Sequence, residues 1–216
     1  LNSFQKAAAA MEWYRFVYEA SYRLGFKPWD RGVPASGLVE LVEGRGALPP
    51  GRALDLGCGT GINTIYLCKN GWKSTGVDMM PRALDAARRN AARSGVSPTF
   101  VEGDVTRLRE LDLGGAFDLL VDIGCFHTLP AGVRQEYVES VSWVAEAGAT
   151  LFLFSFSPGK LAPMKSGATQ DEIAARFAGW EIISGRPSPD GTAAGSWRGA
   201  AARYFGGREY RLQRKS

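Results

Sequence analysis

The sequence predicts an α/β fold: a parallel sheet with helices on both faces, closed by an antiparallel final strand. Three observations carry this. A short apolar run (Ala53, Leu54, Leu56) enters a turn holding Gly57, Gly59 and Gly61, and Ile62, Ile65, Tyr66 and Leu67 follow at helical spacing: strand, glycine turn, helix. Strand-like and helical patterns then alternate as far as Phe154, the order of parallel strands joined by right-handed crossovers. Gly57, Asp78, Asp104 and Asp122 all fall at carboxyl ends of the expected strands, where ligands of such sheets bind.

In order, Met11 to Gly25 places Trp13, Phe16, Val17, Ala20 and Leu24 on one face of a helix. The segment Pro28-Trp29-Asp30-Arg31-Gly32-Val33-Pro34 is a stiff loop that reads as a lid carrying an aromatic, Trp29. A helix from Ala35 to Gly44 precedes the first strand. After the glycine turn the helix from Ile62 stops at Asn70-Gly71, and Lys73 to Val77 is the second strand, ending at Asp78. Asp78 lies 21 positions past Gly57 (78 − 57), where a carboxylate can hold a ribose diol. Met79 and Met80 read either as packing for an adenine or as apolar filler.

Pro81 to Ser94 is a helix with proline in its first turn. Thr99 to Glu102 is the third strand, then Gly103-Asp104-Val105, where Asp104 reads as a partner for an adenine amino group and as an N-cap at Thr106. Phe117 to Val121 is the fourth strand, followed by Asp122-Ile123-Gly124-Cys125-Phe126-His127. A helix over Ala131 to Glu146, a strand over Thr150 to Phe154 and a loop from Ser155 to Gly167 come next. Thr169 and Glu172 form a capping box for a helix to Phe177. Trp180 to Ser184 and Glu209 to Gln213 are expected to be an antiparallel final pair. Residues 1–10 read as a disordered leader or cloning remnant, 11–50 as N-terminal helices with the lid loop, and 51–216 as the core.

The whole-chain properties exclude some functions. A net charge of +4 without a basic stripe draws no nucleic-acid footprint. The 3 cysteines (Cys58, Cys68, Cys125) are odd in number and widely spaced, which suggests no disulfide framework and a cytoplasmic setting. Together with the single histidine they fit no zinc spacing, so no metal is expected. No apolar run reaches the roughly 18 residues of a membrane span. Oligomeric state is not readable.

The turn is Asp-x-Gly-x-Gly-x-Gly; the third glycine of a dinucleotide fingerprint would fall at Ile62. With GVD, GD and the DLLVD strand, the pattern from Met11 onward resembles the Rossmann-like class I S-adenosylmethionine (SAM) dependent methyltransferases. The PWDRGVP loop resembles the segment before the core in the thiopurine, thiol and tellurite-resistance methyltransferases. The resemblance implies SAM as cofactor and S-adenosylhomocysteine (SAH) as product. It casts Asp55, Gly57, Gly59, Asp78, Asp104 and Asp122 as cofactor-side positions, with Cys58, Met79, Gly103 and Val105 beside them and Trp29 helping to enclose the cofactor. Asp122 is followed by Ile-Gly rather than the Pro-Pro of adenine-amino methyltransferases, and no Pro-Cys pair serves cytosine. A small, aromatic or heterocyclic acceptor methylated on oxygen, sulfur or nitrogen is expected, and no nucleic-acid partner.

His127 is the one side chain whose unperturbed pKa lies near neutrality. Two readings stand: general base or substrate orienter, or a hydrogen-bonded histidine fixing its loop. Cys125 is not needed as a nucleophile, because methyl transfer requires no covalent enzyme intermediate. Trp29, Phe126, Phe156 and Trp197 are candidate acceptor walls. The alternatives are an RNA or protein methyltransferase, a non-catalytic SAM-binding scaffold, and a nicotinamide oxidoreductase, which Ile62 weakens.

Overall fold

A computed structural model describes residues 3–25, 30, 32–156, 158, 167–189 and 207–216. Its seven strands are β1 (Arg52–Leu56), β2 (Lys73–Asp78), β3 (Thr99–Glu102), β4 (Phe117–Ile123), β5 (Ala145–Phe156), β6 (Trp180–Pro187) and β7 (Gly207–Arg214). They form one sheet in the order β3-β2-β1-β4-β5-β7-β6. The five strands β1 to β5 are parallel, whereas β7 runs antiparallel to both β5 and β6. The expected antiparallel final pair is therefore present, with β7 inserted between β5 and β6.

The helices are α1 (Ser3–Leu24), α2 (Ser36–Glu43), α3 (Ile62–Lys69), α4 (Pro81–Arg93), α5 (Arg134–Val144) and α6 (Gln170–Arg176). Side chains alternate across the sheet, so each strand feeds two cores. Leu54, Leu120, Leu151, Leu153 and Leu212 pack with Tyr137, Val141 and Ile173 from α5 and α6. Ala53, Leu119, Val121 and Phe152 pack on the other face with Leu38 and Leu67 from α2 and α3.

Several boundaries depart from the sequence reading. The first helix starts at Ser3 rather than Met11, its opening turns enriched in alanine, the best helix former. Strand β4 continues through Asp122 to Ile123, and β5 starts at Ala145 with a register shift between Phe117 and Leu119 of its partner. At α6, Thr169 accepts from the Glu172 N–H at 3.1 Å as a cap should. The return half of the box is replaced by a Glu172 pair with Arg134.

The expected apolar face of α1 is only partly covered: Val17 and Ala20 are half-buried, the rest exposed. Trp13, Phe16 and Leu24 are 45%, 71% and 80% exposed. The face turned to the body instead carries Glu12, Arg15, Glu19 and Tyr22, at helical spacing. Periodicity locates a face but does not say which way it turns.

The glycine turn explains its own composition at Gly61. Its φ is +81°, and a Cβ there would lie 2.9 Å from both Ala87 and Phe100. Gly61→Ala is expected to lower unfolding free energy by about 2 kcal/mol, from a strained backbone and a clash between α3 and α4, measured by urea denaturation.

Candidate active site

The carboxyl ends of β1, β2, β3 and β4 lie along one edge of the sheet. Each strand delivers an acid, and each acid is held by hydrogen bonds from nearby backbone N–H or hydroxyl groups. Asp55, 2% exposed, accepts from the Thr64 N–H (3.0 Å) and hydroxyl (2.6 Å). Asp78 accepts from the Gly59 N–H and the Met80 N–H, both at 2.8 Å. This ties the β2 turn to the glycine turn, while the Gly57 and Cys58 N–H groups bond the Val77 carbonyl. Asp104 caps the short helical turn at Val105 by accepting from Thr106 N–H and Oγ1. Asp122, fully buried, accepts from the Cys125 and Phe126 N–H groups and from the Tyr137 hydroxyl.

These carboxylates feel one another. Burial pushes Asp55 up to about 7, opposed by its Thr64 bonds and reinforced by the charges of Asp78 and Asp122. Burial likewise takes Asp122 to about 6 and raises Asp78. Burial, then Asp122, Asp78, Asp104 and Asp55, hold the Cys125 thiol well above the ordinary thiol range, so it stays protonated and unreactive. Cys125 also packs against the glycine turn: a Cβ at Gly57 would lie 3.3 Å from its Cβ and Sγ.

At the carboxyl ends of β2 and β3 lies a cavity of about 240 Å³ lined by Glu12, Arg15, Met79, Glu102, Gly103 and Asp104. Helix α1 roofs it, and the Tyr22 hydroxyl is 3.1 Å from where a Gly59 Cβ would be. Asp30, from the loop preceding α2, accepts from the Thr60 hydroxyl at 2.9 Å. Sequence reasoning missed Glu12, Arg15, Tyr22 and Asp30, although all four are polar and α1's three recur at helical spacing. Trp29 and Trp197 lie outside the described residues.

Several candidates take other positions. Asp55 and Asp122 spend oxygens on the framework, Asp55 on the start of α3 and Asp122 on the loop after β4. Val105 and Phe126 are core residues; Phe126 packs on Tyr137 and Phe177 with the Arg134 guanidinium over its ring, which removes it from the acceptor walls. Cys58 is buried, its thiol facing Gly76. Phe156 is half-buried, edge-on to His127 and Phe154.

His127 is 2% exposed, with Nδ1 3.4 Å from the Phe154 carbonyl oxygen. A carbonyl can only accept, so Nδ1 carries the hydrogen and Nε2 the lone pair. Burial, with Arg134 nearby, drives its pKa down to about 4. It is a neutral imidazole at working pH and too weak a base to hold a proton there, which counts against the general-base reading. Arg134 in turn fixes the loop, donating to the His127 and Leu129 carbonyls and pairing with Glu172.

The cavity under α1 carries the acids Glu102 and Asp104 from the end of β3, beside Met79 after β2. Comparison with known proteins shows the class of the chain. A methyltransferase-domain family model matches residues 53–148. An uncharacterized methyltransferase of Schizosaccharomyces pombe is 34% identical over 49% of this chain and 72% of its own length. The 2-heptyl-1-hydroxyquinolin-4(1H)-one methyltransferase of Mycobacteroides abscessus is 30% identical over 68% of this chain and 66% of its own length. A structure solved in work on converting a disulfide bond into a thioacetal group during echinomycin biosynthesis has 26% identity and a TM-score of 0.73, covering 92% of each chain. The 1,6-didemethyltoxoflavin-N1-methyltransferase of Burkholderia thailandensis shares the fold, with a TM-score of 0.74 at 22% identity, over 100% of this chain and 92% of that one. The chain belongs to the class I SAM-dependent methyltransferases, and SAM is its cofactor.

The residues present fit that cofactor. Gly57 and Gly59 take positive φ and bare the backbone. Asp78 is tied to the Gly59 and Met80 N–H groups at the end of β2. The acids Glu102 and Asp104 at the cavity suit a cationic ligand and oppose a pyrophosphate.

Because the His127 pKa is lowered from 6.5 to about 4, the unfolded chain binds more protons here between those pH values, and stability rises with pH across the window. His127→Asn is therefore expected to reduce the acid sensitivity of folding. Its stability relative to the parent should improve by on the order of 2 kcal/mol between pH 7 and pH 4, measured by urea unfolding at both pH values.

Proposed function

We propose that the enzyme methylates a heteroatom of a small, planar aromatic or heterocyclic molecule whose accepting atom is already electron-rich at neutral pH. The observation that carries this is His127: buried, neutral and hydrogen-bonded through Nδ1, it offers no strong base. An acceptor that ionises by itself, or that presents a lone pair, needs none. A hydroxylated heterocycle, a thiol and a ring nitrogen all qualify. The M. abscessus relative acts on a hydroxyquinolinone by its name, and another relative is a probable thiol methyltransferase of Arabidopsis thaliana.

In this reading the bound cofactor supplies an electrophilic methyl group, and the protein's task is alignment, worth roughly 7–11 kcal/mol when complete. Asp78 holds the ribose hydroxyls, Met79, Gly103 and Asp104 border the base, and Gly57 and Gly59 admit the amino-acid end to backbone contact. Helix α1 and the loop at Asp30 cover the site and keep water out, with Trp29 assigned to that cover. Phe156 forms one wall for the acceptor and Trp197 is proposed as another. His127 orients the acceptor or the loop through its neutral ring. Residues 11–50 are taken as the cover and 51–216 as the core, and the thiols left free among the described residues suit a cytoplasmic setting. No helix among the described residues is long and apolar enough to cross a membrane.

The test offers labelled SAM with hydroxyquinolines, phenols, thiols, halides, RNA and a protein extract. Label is expected on a hydroxyquinoline or thiol; label confined to RNA or protein would overturn the acceptor class. In calorimetry Asp78→Ala is expected to weaken SAH binding at least about tenfold, that is about 1.4 kcal/mol or more.

A further inference from the structure

Helix α1 brings a polar group to the glycine turn. The Tyr22 hydroxyl lies 3.1 Å from where a Gly59 Cβ would stand, and Gly59 itself sits at φ +54°. A side chain at position 59 would meet both a strained backbone and the phenol oxygen. Tyr22 is half-buried, a side chain neither sealed in the core nor fully solvated.

The turn has spent several of its own donors. The Gly57 and Cys58 N–H groups both bond the Val77 carbonyl, at 2.9 and 3.0 Å, and the Gly61 N–H bonds the Cys58 carbonyl at 2.9 Å. The Gly59 N–H bonds Asp78 Oδ2 at 2.8 Å. Acids stand close as well: Asp78 holds that N–H, and Asp30 Oδ2 accepts the Thr60 hydroxyl at 2.9 Å. Such surroundings favour an ammonium and oppose a carboxylate. A ligand that carries both groups therefore needs a donor brought to the turn from elsewhere in the chain. A phenol O–H is such a donor, and Tyr22 delivers it from 37 positions away (59 − 22).

The course of α1 agrees. Arg15 lines the cavity at the ends of β2 and β3 together with Met79, Gly103 and Asp104. Tyr22 follows 7 residues later (22 − 15), on the same side of the helix and about 10 Å along its axis. The helix thus spans from the cavity proposed for the base to the turn proposed for the amino-acid end.

We propose that Tyr22 binds the cofactor, its hydroxyl donating a hydrogen bond to the carboxylate of the amino-acid end. This rests on the placement of that end at Gly57 and Gly59, and it makes α1 part of the binding site rather than a cover alone. The two charges of the amino-acid end are then met by different groups: the acidic turn suits the ammonium, and the α1 hydroxyl takes the carboxylate.

The test compares SAH with 5′-methylthioadenosine, which keeps the nucleoside and lacks the amino-acid end, by calorimetry on the parent protein, Tyr22→Phe and Asp78→Ala. Tyr22→Phe retains the ring and its packing. It is expected to weaken SAH about tenfold, the loss of one hydrogen bond to a charged group, and to leave 5′-methylthioadenosine at the parent affinity. Asp78→Ala is expected to weaken both ligands, because both carry the ribose. Unchanged SAH affinity in Tyr22→Phe overturns the proposal. Equal loss for the two ligands also overturns it, since that reports a displaced α1 rather than a lost carboxylate contact. Failure of the cofactor placement itself reads differently: Asp78→Ala would then leave both ligands at the parent affinity, and the assignment of Tyr22 would fall with it.

Discussion

Carboxylates that accept hydrogen bonds at the carboxyl ends of parallel strands are the constraint on which the rest of this structure depends. Asp78 receives the Gly59 N–H and Asp122 the Cys125 and Phe126 N–H groups. Without such acceptors the turns after β1 and β4 would leave buried donors orphaned, which proteins rarely tolerate. The same bonds gather these carboxylates along one edge of the sheet, where Asp55 and Asp122 are raised in pKa by burial.

The acids do not share the work equally. Asp55 and Asp122 are deep, raised in pKa by burial, and occupied with Thr64 and with Tyr137 and the β4 loop. They set positions. Asp104 lines the cavity under α1 and also caps the turn at Val105, and Asp78 immediately precedes Met79, which lines the same cavity. The loop after β4 follows the same logic on a larger scale: Asp122 holds its start, Arg134 its carbonyls at His127 and Leu129, and Glu172 anchors Arg134 from α6. His127 is consequently held as a neutral ring within this loop.

The alternation of strands and helices, the glycine turn and the four strand-end acids were legible because each is a local pattern with a local cause. Gly57, Gly59 and Gly61 are spaced by what the turn demands, and Asp78 by the length of one βαβ unit. Strand ends were less legible: β4 continues through Asp122 because pairing with β5 extends to Ile123, and no propensity at Asp122 announces it. Phe126 looked like a pocket wall, yet its ring is claimed by Tyr137, Phe177 and Arg134, residues up to 51 positions away (177 − 126). His127 could be noticed in the sequence, but its pKa depends on burial by Phe154 and Phe156 across the sheet.

By itself the sequence determined the class of fold, the cofactor and the acids at the strand ends, because hydrophobic period, glycine conformation and βα spacing act within a few tens of residues. Only the tertiary structure decided which face of α1 turns inward, that His127 is neutral, and that Arg186 of β6 pairs with both Glu40 of α2 and the buried Glu209 of β7. Each of these is set by desolvation and by neighbours distant in the chain, and packing fixes such quantities where local preference is silent.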